Sequence, residues 1–190
     1  MASVVLSGDT SGSVTLAAPT ISGTTTQTLV AVSGTLAPVV SGTAVASTSG
    51  TSIDFTSIPS WVKRITVMFS GVSTSGTSLV QVQIGSGSVT TTGYLSASSS
   101  IGASSVVTTN ATSGFIIYAN NATDVRSGQM MLTLVGSNIW VCGAVVKSNT
   151  TATVTTGGDI TLSGTLDRVR ITTVNGTDTF DAGSINILYE

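Results

Sequence analysis

Few side chains in this sequence could move a proton or hold an ion. Asp178 and Asp181 flank Thr179-Phe180 in the stretch Asn175-Gly-Thr-Asp-Thr-Phe-Asp-Ala-Gly, and Asp167 precedes Arg168 and Arg170 in Leu-Asp-Arg-Val-Arg. Two carboxylates facing each other across a sugar, one with a raised pKa, would serve glycoside hydrolysis. Several loop oxygens together would serve a calcium ion. The Asn, Gly and Thr around Asp178 and Asp181 fit better with a solvated turn closed by Asx hydrogen bonds, and that reading is preferred over calcium and over catalysis. There is no His, and Cys142 is the single cysteine. Histidine relays, Cys-His pairs, histidine zinc sites, thiolate clusters and an intrachain disulfide are therefore removed. The expectation is a protein without catalytic, cofactor-binding or metal-binding residues, and not an enzyme.

Binding chemistry has slightly more to work with. Arg168 and Arg170 would share one face of a strand, with Asp54 or Asp167 as partners, which favours structural ion pairs or a subunit contact over an anion or saccharide contact. Trp61, Trp140, Tyr94, Tyr118 and Tyr189 could stack on a sugar, but the chain has only 2 Trp, 3 Tyr and 4 Phe to furnish a core. Trp140 sits among apolar neighbours and reads as core or interface. Tyr94, next to a loop-like Ser-rich run at 96–100, is the better ligand contact. Cys142 reads as a small buried hydrophobe. The sequons at Asn110, Asn121, Asn149 and Asn175 carry little information in a chain this rich in Ser and Thr.

The elements that must position these residues are strands. Of 190 residues, 30 are Ser, 34 Thr and 21 Gly, against 6 Lys plus Arg and 8 Asp plus Glu. Good helix formers are scarce, while Thr and Val suit a pleated strand and Ser and Gly suit turns. With 41% apolar residues the chain is too hydrophobic for disorder. Six basic residues and a net charge of -2 argue against a nucleic-acid partner. No window approaches a membrane span, and the opening lacks a signal-peptide pattern, so a soluble protein made without a secretion signal is expected.

Two regions follow different rules. Residues 1–50 hold one charge, Asp9, and no aromatic residue; Ser-Gly-Thr recurs at 22–24, 33–35, 41–43 and 49–51. Short apolar bursts between these turns would leave a thin apolar stripe and open strand edges. An extended stalk or anchor follows, in which copies wind together through Val14, Leu16, Ile21, Leu29, Leu36 and Val39; a flexible linker is the alternative. Residues 51–190 read as an antiparallel β-sandwich, jelly-roll-like, of ten or eleven short strands. A central strand is expected in Trp-Val-Lys-Arg-Ile-Thr-Val-Met-Phe from Trp61, because both of its faces carry large apolar groups. Others are expected at 79–84, 89–95, 104–108, 114–119, 129–135, 138–146, 152–156, 159–163, 166–173 and 184–189.

The opening Val-Val-Leu-Ser-Gly-Asp-Thr-Ser-Gly-Ser-Val-Thr-Leu-Ala-Ala-Pro resembles repeat segments in fibre and structural proteins of tailed bacteriophages. Residues 51–74 and 164–190 look like a C-terminal β domain that recurs in virion proteins of phages and prophages. The resemblance implies a non-enzymatic virion component, a short surface fibre or capsid decoration protein. It would be homotrimeric, attached to other virion proteins of head or tail through its N-terminal part, with the β domain displayed on the virion surface. The alternative is a receptor- or polysaccharide-binding tail fibre or adhesin module that contacts a host surface glycan through Tyr94.

Overall fold

The computed structural model describes residues 3–7, 11, 13–17, 37–149 and 151–190, and every regular element among them is a strand. The chain divides into two compact units, Met1–Leu36 and Ala37–Glu190. In the first, β1 (Ser3–Ser7) and β2 (Ser13–Ala17) form an antiparallel hairpin in which Val4 lies opposite Leu16 and Leu6 opposite Val14.

The second unit contains β3 (Val40–Ser41), β4 (Val45–Ala46), β5 (Ser52–Thr56), β6 (Arg64–Thr74), β7 (Val80–Ser86), β8 (Ser88–Val89) and β9 (Leu95–Gly102). It continues with β10 (Val106–Ala111), β11 (Phe115–Ile117), β12 (Arg126–Gly136), β13 (Ile139–Ser148), β14 (Ala152–Thr161), β15 (Arg168–Thr173) and β16 (Phe180–Tyr189). One sheet runs β10-β9-β14-β13-β12-β6-β16-β3, with β4 also on β16; the other runs β11-β7-β15-β5, with β8 on β7. All pairings are antiparallel. The β3–β4, β7–β8, β9–β10 and β12–β13–β14 connections stay within one sheet, whereas β4 to β5, β5 to β6, β6 to β7, β8 to β9, β10 to β11, β11 to β12, β14 to β15 and β15 to β16 change sheet.

Period-two alternation explains why these segments fold as they do. In β13, Trp140, Cys142, Ala144 and Val146 are buried while Ile139, Val141, Gly143, Val145 and Lys147 face outward. Ile65, Val67 and Phe69 of β6 join Met130 and Leu132 of β12 in the core, which Val80, Val82, Ile84, Val169 and Ile171 complete from the other sheet. As expected, β6 is central, flanked by β12 and β16. Trp61 falls outside the strand and is 38% exposed, because a turn closed by Val62 N–H on the Pro59 carbonyl buries Val62 instead.

Several expected boundaries move. Residues 37–50 belong to the second unit: β3 and β4 pair with β16, and Ser47 is fully buried with its hydroxyl donating to the Ala182 carbonyl at 2.7 Å. The expected strand at 89–95 is instead the short β8 followed by a turn at Gly93, whose φ of 85° suits glycine. Expected breaks at 157–158 do not occur, since Gly157 and Gly158 stay in register with Gly143 and Cys142.

The Ser-rich run at 96–100 is a strand, not a loop. Ser96 and Ser98 face inward and act as acceptors: Ile116 N–H donates to Ser96 Oγ and Tyr118 N–H to Ser98 Oγ, both at 3.1 Å. Thr156 Oγ1 donates to the Ile116 carbonyl at 2.7 Å. The three-residue β11 pairs with β7 on one side only, so hydroxyls of the opposite sheet supply the partners its other side lacks.

Candidate functional site

The carboxylates do not form an acid–base pair or an ion cage. Asp178 accepts from Asn175 Nδ2 at 2.7 Å and from Ser78 N–H at 2.9 Å, and these bonds, the Asn175 one foremost, hold its carboxyl below the ordinary range. Asp181 accepts from Ser73 Oγ on β6. Each is engaged by donors of its own, and no cluster of three metal-ligating side chains exists among the described residues. The stretch is a turn closed by Asx hydrogen bonds, Asn175 Oδ1 accepting from Thr177 N–H at 3.0 Å and Asp178 N–H at 3.2 Å.

Both β15 arginines sit in ion pairs. Arg170 binds Asp54 across the β15–β5 register, Nε to Oδ1 at 2.7 Å and Nη2 to Oδ2 at 3.0 Å. Arg168 forks onto the adjacent Asp167, at 2.7 and 3.1 Å, and holds that carboxyl below its ordinary value. Arg64 pairs with Glu190.

Tyr94, the expected ligand contact, lies in the core with no exposed surface. Its ring packs edge-on against Phe115 with centroids 5.0 Å apart. Its hydroxyl accepts from Ile84 N–H at 2.8 Å and lies 3.0 Å from the Thr90 carbonyl. The turn at Gly93 aims the side chain inward, so Tyr94 holds β7 and β8 together and is unavailable to a ligand. Burial raises its phenol to about 12. Trp140 is buried as expected, and Cys142 is buried with its thiol pushed up to about 12 by desolvation. Trp61 is the exposed ring, tilted against Tyr189 at 5.9 Å. Of the expected assembly contacts, Val14 and Leu16 lie on β2, Ile21, Leu29 and Leu36 fall outside the described residues, and Val39 is 62% exposed just before β3.

The surface that composition did not reveal is the outer face of the nine-stranded sheet. Its register lines up Ala97, Gly157, Gly143 and Met131 in one row across β9, β14, β13 and β12. Gly143 and Gly157 have open space where a side chain would stand. Gly143, with Met131 and Thr156, lines a trough of about 550 Å³. Val141 on one side and Val145 on the other form its walls, at 38% and 59% exposure, and Asp159 stands in the register between Val141 and the exposed Leu95. None of the lining side chains is charged. Such an area suits contact with another surface more than proton transfer. The outward-facing Val141, Gly143 and Val145 of β13 were the signal available in the sequence, masked there because both faces of β13 read as apolar. No protein family, no curated protein and no solved structure matches this chain.

Proposed function

We propose that the chain is a non-enzymatic structural component of a tailed-phage virion, a short surface fibre or decoration protein that assembles through its N-terminal unit and displays the β domain. The observation that carries this reading is the uncharged apolar trough and its valine walls on an otherwise hydroxyl-rich molecule, a surface suited to packing against protein. Strand order supports it as well. The sheets β5-β15-β7-β11 and β6-…-β9-β10 follow jelly-roll pairing, with the β12–β13–β14 meander in place of one strand and β16, β3 and β4 added outside β6. Residues 51–74 and 164–190, which carry the resemblance to phage virion domains, lie on β5, β6, β15 and β16.

Light scattering on the full chain beside a fragment starting at Ala37 tests the assembly role. The full chain is expected as a homotrimer and the fragment as a folded monomer that no longer joins particles. A monomeric full chain, or a fragment that still incorporates, overturns the assembly assignment. A fragment starting near residue 52 is unsuitable, because it removes β3, β4 and the buried Ser47.

A further inference from the structure

A second concavity lies at one end of the sandwich, between three connections. Ser60, Val62 and Lys63 come from the segment between β5 and β6, the β12–β13 hairpin contributes Leu134, Asn138 and Trp140, and Thr165 and Leu166 precede β15. Its volume is about 290 Å³. That is near the lower end for small-molecule pockets, the size of a single sugar unit more than of a chain segment. The hairpin turn is fixed by Ser137 and Asn138, both with positive φ (48° and 62°), the geometry of a two-residue type I′ turn. Asn138 is held further by its carbonyl, which accepts from Leu162 N–H at 3.0 Å.

Two of the lining residues carry donors without a protein partner. Trp140 is 2% exposed, yet its indole Nε1–H has no acceptor, and a buried donor left without a partner is destabilising. Lys63, an exposed residue of the lining, has no ion pair among the described residues; Lys147 and Arg126 have none either, but do not line this pocket. No acidic side chain lines the pocket. The remaining lining divides into hydroxyl and amide groups of Ser60, Ser137, Thr165 and Asn138, and apolar groups of Val62, Leu134 and Leu166. An occupant matching this lining has a carboxylate, several hydroxyls and one apolar face.

We propose that this pocket binds one acidic sugar unit of the uronic or sialic type, its carboxylate pairing with Lys63 and its hydroxyls meeting Ser60, Asn138 and Thr165. An acceptor on the sugar takes the Trp140 indole proton, which requires a small movement of the ring or of a neighbour. The site deepens the adhesin reading, rests on it alone, and is independent of the assembly role.

The chain has 2 Trp, so the full-length protein shows two indole N–H resonances, and Trp61→Phe assigns them. Titration with galacturonic acid and N-acetylneuraminic acid is expected to displace the Trp140 signal saturably, with no such displacement by galactose or acetate. Lys63→Ala is expected to weaken the response about tenfold or more, because a charge-assisted bond is lost. Asn138→Gly weakens it too while keeping the positive-φ turn, a second test should Lys63→Ala fold poorly. No displacement by either acid, an equal displacement by galactose or acetate, or indifference to both substitutions overturns the proposal. Retention of the protein on polysaccharide beads without Trp140 displacement overturns this site and leaves the adhesin reading standing; no retention at all overturns both.

Discussion

The Tyr94 phenol accepts from Ile84 N–H at 2.8 Å inside the core and ties β7 to the segment after β8. Its neighbours Thr-Thr-Gly before and Leu-Ser-Ala-Ser after look like an exposed loop, yet Gly93 turns the chain so that the phenol reaches back to Ile84. Tyr94→Phe leaves the Ile84 N–H buried without that acceptor, and urea unfolding is expected to show a loss of about 1–3 kcal/mol. The phenol adds an alkaline limit. Its value is raised in the fold, so its contribution is complete below pH 10 and disappears as pH climbs through about 12. The Phe variant is expected to lack that part of the alkaline decline. Cys142 follows similar logic: with its thiol pushed up to about 12 by burial, native protein at pH 8 is expected to react with a thiol reagent only after denaturant is added. Rapid labelling of the native chain would contradict this burial. The core role of Cys142 and Trp140 was legible from their apolar neighbours. Lys63 read as a strand residue suited to an ion pair or subunit contact more than to an anion or saccharide, because its pocket is built by three connections far apart in sequence.

At the scale of elements, period-two alternation was a sound guide wherever large apolar residues marked it, as in β6, β12 and β13. It failed where the buried positions are hydroxyls. Ser96 and Ser98 look like loop residues because their inward role is to receive the N–H groups of Ile116 and Tyr118, a demand that arises from β11 and leaves no trace in the β9 sequence. Ser98→Ala is expected to lower stability by about 1–2 kcal/mol in thermal unfolding, whereas Ser99→Ala, on the opposite face, stays within about 0.5 kcal/mol. Equal effects would argue against the hydroxyl support of β11. The β6–β16 pairing contains a second element-scale constraint. Gly183, at φ 92°, would bring an added Cβ within 2.4 Å of the Gly71 carbonyl oxygen, inside the register shift between Ala182 and Ser184. Gly183→Ala is expected to cost about 2 kcal/mol or more, from positive-φ strain plus a backbone collision.

For the molecule as a whole, the scarcity of charge sets the response to solution conditions. Three ion pairs are present among the described residues, all partly exposed, and exposed pairs of this kind add little to stability. Raising NaCl from about 0.05 to 1 M is therefore expected to shift the melting temperature by only a few degrees. With no His, stability is expected to stay level between about pH 5 and 8.5. Below that, Asp167 and Asp178, whose carboxyls the fold holds low, lose their contribution as pH falls from 3.8 through their folded values. A steep change near pH 6.5 would contradict this. Strand order also governs when the domain can form. Strands β3 to β6 pair with β15 and β16, Asp54 meeting Arg170 across 116 positions, so the first part of the domain waits for the last. Such high contact order places folding in the slow, millisecond-to-second class. During synthesis β5 and β6 must remain unpaired at these edges until residues 168–189 leave the ribosome, which makes the nascent chain a client for chaperones and ties its yield to translation speed.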